Sequence, residues 1–105
     1  MLQNVKGMAM ATYIIFTRLG PDSFRDPNEF RQLAERVSSE IQKRCPGVTW
    51  KESYVTLGRF DIVDVVEAAD QKEVERAAML IRALARATTE TMPATPWKTF
   101  LAHLS

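Results

Sequence analysis

The segment TLGRFDIVDVVEAAD, residues 56–70, sets two carboxylates, Asp61 and Asp64, into a run that otherwise reads as an apolar strand. Two carboxylates can share a proton as a dyad, or divide acid and base roles as in a glycosidase. Both arrangements need the pair on one side of the backbone. Side chains alternate along a strand, so residues three apart project from opposite faces, and the pair cannot act together unless a bulge intervenes. Each aspartate is therefore judged by its own neighbours.

Other groups able to do chemistry are few. His103 is the one histidine, and it lies in a helical tail with no cysteine or carboxylate cluster beside it. It makes a poor metal site and a base without an orienting partner. Cys45, also alone, excludes an internal disulfide and any multi-cysteine zinc site. Lys43 and Arg44 could lower its pKa slightly, yet no nearby histidine activates it, so it reads as an inert or mildly reactive thiol. The four glycines are isolated, which leaves no phosphate-cradling loop or dinucleotide fingerprint. No metal and no cofactor are expected.

The elements that position these residues follow from local patterning. ATYIIFTR (11–18) is β-branched and aromatic and stops at LGPDS, a strand followed by a turn. Asp26, Pro27 and Glu29 open a helix as cap, first position and capping-box acid. Phe30, Leu33, Ala34, Val37 and Ile41 then form one apolar stripe, until CPG at 45–47 ends it. VTWKESYVTL (48–57) and FDIVDVVE (60–67) are strands separated only by Gly58-Arg59, a two-residue loop with the signature of a type II′ hairpin. Asp70 and Glu73 bracket a second capping box, followed by the stripe Val74, Ala77, Ala78, Ile81, Leu84 and Ala85. ATTETMPA (87–94) reads as a fourth strand, and Thr95 can cap a short helix carrying Trp97, Phe100, Leu101 and Leu104 on its apolar side. The order βαββαβ with a helical tail predicts an α+β, ferredoxin-like antiparallel sheet with two helices on one face and a short C-terminal helix.

The hairpin predicts the register. Leu57 faces Phe60, Val55 faces Ile62 and Ser53 faces Asp64 on the helix-packed side. Thr56 with Asp61, Tyr54 with Val63, Glu52 with Val65 and Trp50 with Glu67 fall on the other. Asp64, opposite Ser53 and diagonal to Lys51, then has a hydroxyl and an ammonium partner and reads as a satisfied polar pair. Tyr54, Thr56 and Asp61 gather beside Val63; Tyr13 and Thr17 are expected to join them from the neighbouring strand, with Thr89 and Thr91 completing the rim. Hydroxyls and one carboxylate among apolar residues suit a small-molecule pocket, and suit a half-wet dimer seam equally. A desolvated Asp61 would be a general base; one held by backbone donors would be structural.

Both parities of the strands are apolar: Ile14 and Phe16 against Tyr13 and Ile15, Val63 and Val65 against Ile62 and Val66. A bare second face would exceed the apolar patch of about a few hundred Å² that monomers usually expose. A second copy packed sheet to sheet covers it and encloses a cavity. The competing cover is the C-terminal helix, whose Trp97 and Phe100 could fold back or anchor an interface.

With 105 residues the chain holds one domain, and a net charge of +1 gathers no phosphates, so neither nucleic acid nor an acidic membrane surface is an expected partner. No apolar run approaches the roughly 20 residues that span a bilayer, and MLQNVKGMAM does not read as a secretory signal, which favours the cytoplasm. Met8 and Met10 could each start the chain; residues 1–9 are expected to form a loose arm and residues 10–105 the domain.

MATYIIFTRL at 10–19, DPNEF at 26–30, YVTLGRFDIVDVVEAAD at 54–70 and TTETMPA at 88–94 together resemble the GYD-domain family, from about Met10 to Phe100. The resemblance implies a dimeric α+β barrel of ferredoxin-like topology in small bacterial proteins, with Tyr54, Gly58, Asp61 and Glu67 at motif positions. Two residues depart from the pattern. Phe60 stands where tyrosine is usual, which removes a hydroxyl, and Asp64 stands where an aliphatic residue is usual. Two functional expectations follow: a homodimer or higher oligomer that binds a small molecule or serves a structural role, or a cofactor-independent oxygenase- or isomerase-like enzyme with Asp61 as proton acceptor and Tyr54 and Tyr13 orienting substrate.

Overall fold

The computed structural model describes residues 10–104, so the expected arm at 1–9 lies outside the described residues. The elements run β1 (Ala11–Arg18), α1 (Pro27–Arg44), β2 (Val48–Val55), β3 (Ile62–Ala68), α2 (Gln71–Ala85), β4 (Thr88–Ala94) and α3 (Trp97–His103). The strands form one antiparallel sheet in the order β2-β3-β1-β4, which with its two crossover helices is the ferredoxin-like topology.

Local chemistry starts and stops the helices as their sequences predict. Asp26 accepts from the Glu29 amide at 2.9 Å, while Glu29 reaches back to the Arg25 amide at 2.8 Å, so the first turn of α1 is held from both ends. Asp70 caps α2 by accepting from the Lys72 amide at 2.9 Å, but Glu73 does not close the box: its carboxylate turns to Arg76 at 3.4 Å. Arg86 ends α2 in the left-handed region, at φ 53°. Thr95 does not cap α3; Pro96 occupies that position and offers no side-chain hydrogen bond.

The core lies between the sheet and α2. Tyr13, Ile15 and Val66 project from one face onto Val74, Ala77 and Ile81. Each large aliphatic side chain removed from water there contributes about 1.5–3 kcal/mol. By contrast, α1 packs mainly on α2, and only Ile41 of its stripe is fully buried. Phe30, Leu33 and Val37 stay half-exposed, and Val55, beneath them on β2, keeps 75% of its surface. The first helix therefore stands off from β2 and β3.

The register of the central hairpin is as expected at Val55–Ile62, Tyr54–Val63 and Ser53–Asp64, with two corrections. The loop is not a two-residue type II′ turn, and among the described residues no glycine has a positive φ. Instead the Thr56 amide donates to the Asp61 carbonyl at 2.8 Å and closes a wider loop, the Thr56 hydroxyl donates to the Phe60 carbonyl at 2.6 Å, and Arg18 grips the Arg59 carbonyl through Nε and Nη2 at 3.0 and 2.8 Å. A bulge between Trp50 and Glu52 then shifts the strand, pairing Trp50 with Val66 rather than Glu67 and turning its indole under the helices.

Candidate functional site

The stand-off of α1 leaves a groove of about 800 Å³ between that helix and the β2–β3 half of the sheet. Phe30, Leu33 and Val37 form its helical wall; Trp50, Ser53 and Asp64 line the sheet side. Asp64 is 6% exposed. Its Oδ1 accepts from the Ser53 hydroxyl at 2.5 Å and from the Trp50 indole N–H at 3.0 Å. Hydrogen bonds to a charged group each contribute about 1.5–3 kcal/mol, which offsets part of the cost of burying the carboxylate. Lys51, the expected ammonium partner, is taken out of reach by the bulge and pairs with Glu67 at 3.9 Å. Thr17 is 1% exposed and also lines the groove, and its hydroxyl finds no hydrogen-bond partner.

The set of pocket residues expected from the sequence is divided by the sheet. Tyr13 and Thr17 point under the helices, and Thr89, paired with Thr17, and Thr91, paired with Ile15, share that side. Tyr54, Thr56 and Asp61 stand with Val63 on the opposite side, around the β2–β3 loop. The physical reason is that β1 is apolar on both parities, so its composition does not choose a face; pairing Tyr13 with Val66 and Phe16 with Val63 does. Of the expected set only Thr17 and Tyr54 border the groove.

Asp61 holds the backbone at three points. Its Oδ2 accepts from the Leu19 amide at 2.7 Å, its amide donates to the Thr17 carbonyl at 2.8 Å, and its carbonyl receives the Thr56 amide. That is the backbone-held arrangement, not a carboxylate presented to a cavity. Tyr54 donates its hydroxyl to Glu52, and that bond, with the nearby negative charge, pushes the phenol up from its ordinary value. Asp61 does not line the groove, and Tyr54, which borders it at the sheet edge, has its hydroxyl engaged by Glu52.

Cys45 is 1% exposed at the end of α1. Burial pushes its thiol up, and Glu73 adds to the shift against the smaller opposing effects of Arg76 and Arg44. It is a core thiol and not an activated nucleophile. Among the described residues no group of three or more His, Cys, Asp or Glu side chains gathers in a way that could hold a metal ion, and no helix is long and apolar enough to cross a membrane.

Sequence reasoning paired Asp64 with Ser53 as a satisfied polar contact and not as part of a site, and it missed Trp50 and the α1 wall. The oddity of an acid inside an apolar strand was the available signal for the first. Nothing local signals a bulge between Trp50 and Glu52, where the edge strand carries neither glycine nor proline.

Comparison with known proteins agrees with the geometry. A family model described as the GYD domain matches residues 13–104. The chain is 30% identical over 95 residues to the glutamine synthetase and cystathionine beta-lyase binding protein of Thermus thermophilus, covering 90% of this chain and 99% of that protein. Among solved structures, ribosomal protein S6 of Thermotoga maritima superposes with a TM-score of 0.56 at 14% identity, covering 91% of this chain and 98% of the other. The leucine response regulatory protein LrpA of Mycobacterium tuberculosis gives 0.57 at 15% identity, and the match covers 82% of this chain but 51% of that protein. These two likenesses are of fold alone.

Proposed function

We propose that this chain, which belongs to the GYD-domain family, is a non-catalytic binding protein that works as a homodimer and holds a small molecule in the groove between α1 and the sheet. The observation that carries the reading is the groove itself. Its volume of about 800 Å³ falls within the range of small-molecule sites, and its lining is mostly apolar, with Asp64, Ser53 and Thr17 on the sheet side and Ser38 and Gln42 on α1 as polar groups. The oxygenase- or isomerase-like alternative needs Asp61 beside a closed cavity, and Asp61 is spent on the Leu19 amide instead. The open side of the sheet, with Ile14, Phe16, Val63 and Val65 half-buried and Met92 43% exposed, supports pairing with a second copy.

Native mass spectrometry of the protein taken from cells tests both parts. The expected result is a dimer, with a small-molecule adduct retained by the protomers and released when the protein is denatured. Protein that is ligand-free and refuses every small molecule in a ligand-observed screen would overturn the groove reading.

A second reading rests on a separate observation. Leu57 is fully exposed at the β2–β3 loop, and on α3 Trp97 and Leu104 remain 70% and 66% exposed. A relative named for binding two metabolic enzymes favours a protein partner for these side chains. Pull-down with Trp97→Ala alongside the natural chain tests it; equal recovery of every partner by the two would sink it.

A further inference from the structure

Resting on the groove reading above, we infer that the ligand is an amphiphilic amine: an apolar body lies against Phe30 and Trp50, and a protonated amino group sits on Asp64. Charge carries the inference. Asp64 is the one side chain with a formal charge among the described residues that line the groove; no lysine, arginine or histidine joins it there. A carboxylate drawn this far out of water needs a compensating partner. Both hydrogen bonds it receives fall on Oδ1; Oδ2 receives none from the described residues and is not among the buried orphaned atoms, so it is the oxygen left open to a ligand. An ammonium group supplies three donors and the missing charge together.

The surroundings favour the same chemistry. Thr17 pairs with Ile62 across β1 and β3 while Ile15 pairs with Asp64, which puts Thr17 diagonal to the carboxylate on the same side of the sheet. Its buried, unpartnered hydroxyl can accept a hydrogen bond from the group that Asp64 attracts. Trp50 is oriented by its own N–H bond to Asp64, which sets an indole ring beside the carboxylate for the apolar body of the ligand to lie against. A carboxylate or phosphate ligand would meet Asp64 with like charge and find no cation in the lining.

Calorimetric titration of the full chain with tryptamine, tryptophol and indoleacetate separates the terms, because the three share one apolar body and differ in the polar end. The expected outcome is that tryptamine binds about tenfold or more tighter than tryptophol, the share a charge-assisted contact contributes, and that indoleacetate binds weakest. Asp64→Asn should abolish the preference for tryptamine over tryptophol. Equal affinity for amine and alcohol would overturn the amine inference while leaving the groove as a binding site. Failure of all three to bind would overturn the amine inference, and the ligand-observed screen above then decides separately whether the groove takes any small molecule. Should Asp64→Asn fail to fold, the comparison of the three compounds on the natural chain still decides.

Discussion

Asp61 and Asp64 lie three residues apart and have opposite roles. Asp61 ties the end of β1 to the β2–β3 loop, so its loss should be felt as stability and not as binding. Asp61→Ala is expected to cost about 1–3 kcal/mol, the penalty for leaving the buried-side Leu19 amide without its acceptor, with groove affinity unchanged. Urea melts together with tryptamine titration check this; lost binding without lost stability would instead make Asp61 a site residue. Cys45 gives a second test at this scale. Its folded pKa is raised above the ordinary 9.0 by burial and by Glu73. The folded protein therefore keeps the thiol proton at pH values where the unfolded chain has released it. That stability is fully present below pH 9.0 and drains away as pH rises through and beyond it. Melts between about pH 8 and 10 should show a decline that Cys45→Ala makes shallower, with the residual slope coming from groups such as Tyr54. The opposite fates of the two aspartates were legible from strand alternation, and so was the Ser53–Asp64 pair. That Trp50, not Lys51, would be the second partner was not, because it depends on a bulge.

At the scale of elements, the exit of β1 is locked to the end of α2 by contacts that join residues more than sixty positions apart. The Gly20 amide donates to the Ser23 hydroxyl at 2.8 Å, and that hydroxyl donates to the Ala85 carbonyl at 2.6 Å. A Cβ on Gly20 would lie 2.8 Å from the Arg86 carbonyl oxygen, a backbone atom that cannot swing aside. Gly20→Ala should therefore destabilise by about 1–3 kcal/mol, as overpacking does, even though a glycine-to-alanine change elsewhere in a turn often stabilises. A denaturant midpoint equal to the natural chain's would show that the β1–α1 loop can give way. Element positions themselves were readable: Asp26 with Pro27, Asp70, and the β-branched run at 11–18 each carry a local cause that the fold leaves in place. What sequence could not supply was the distance between α1 and the sheet. A stripe of Phe30, Leu33, Val37 and Ile41 reads as a buried face whether the helix presses onto β2 and β3 or leaves a groove above them, since the pattern records which side is apolar and not what lies against it. The same blindness split the expected pocket: Tyr13 and Thr17 needed a choice of face that only long-range pairing makes.

For the whole molecule, the unresolved physical demand is the open side of the sheet. Val65 stands near its centre, paired with Ile14 on one neighbour and Glu52 on the other. If a second copy covers this side, a carboxylate placed there would be buried without a counter-charge, at a cost of several kcal/mol that the seam cannot absorb. In a lone subunit the same carboxylate would face water and meet only the modest repulsion of Glu52 across the strand pair. Val65→Glu therefore distinguishes the two situations without disturbing the core, which lies on the other side of β3 around Val66. The natural chain is expected to sediment as a dimer at micromolar concentration, and Val65→Glu as a monomer with the same helix and strand content by circular dichroism. A natural chain that sediments as a monomer would remove the pairing altogether. A variant that stays dimeric would move the seam away from the sheet, towards the exposed apolar side chains of α3, and would leave Ile14, Phe16 and Val65 as surface residues. The groove lies on the side of the sheet that the helices cover, so tryptamine affinity should be the same in the natural chain and in Val65→Glu; binding that disappears with the dimer would mean that a second copy completes the groove.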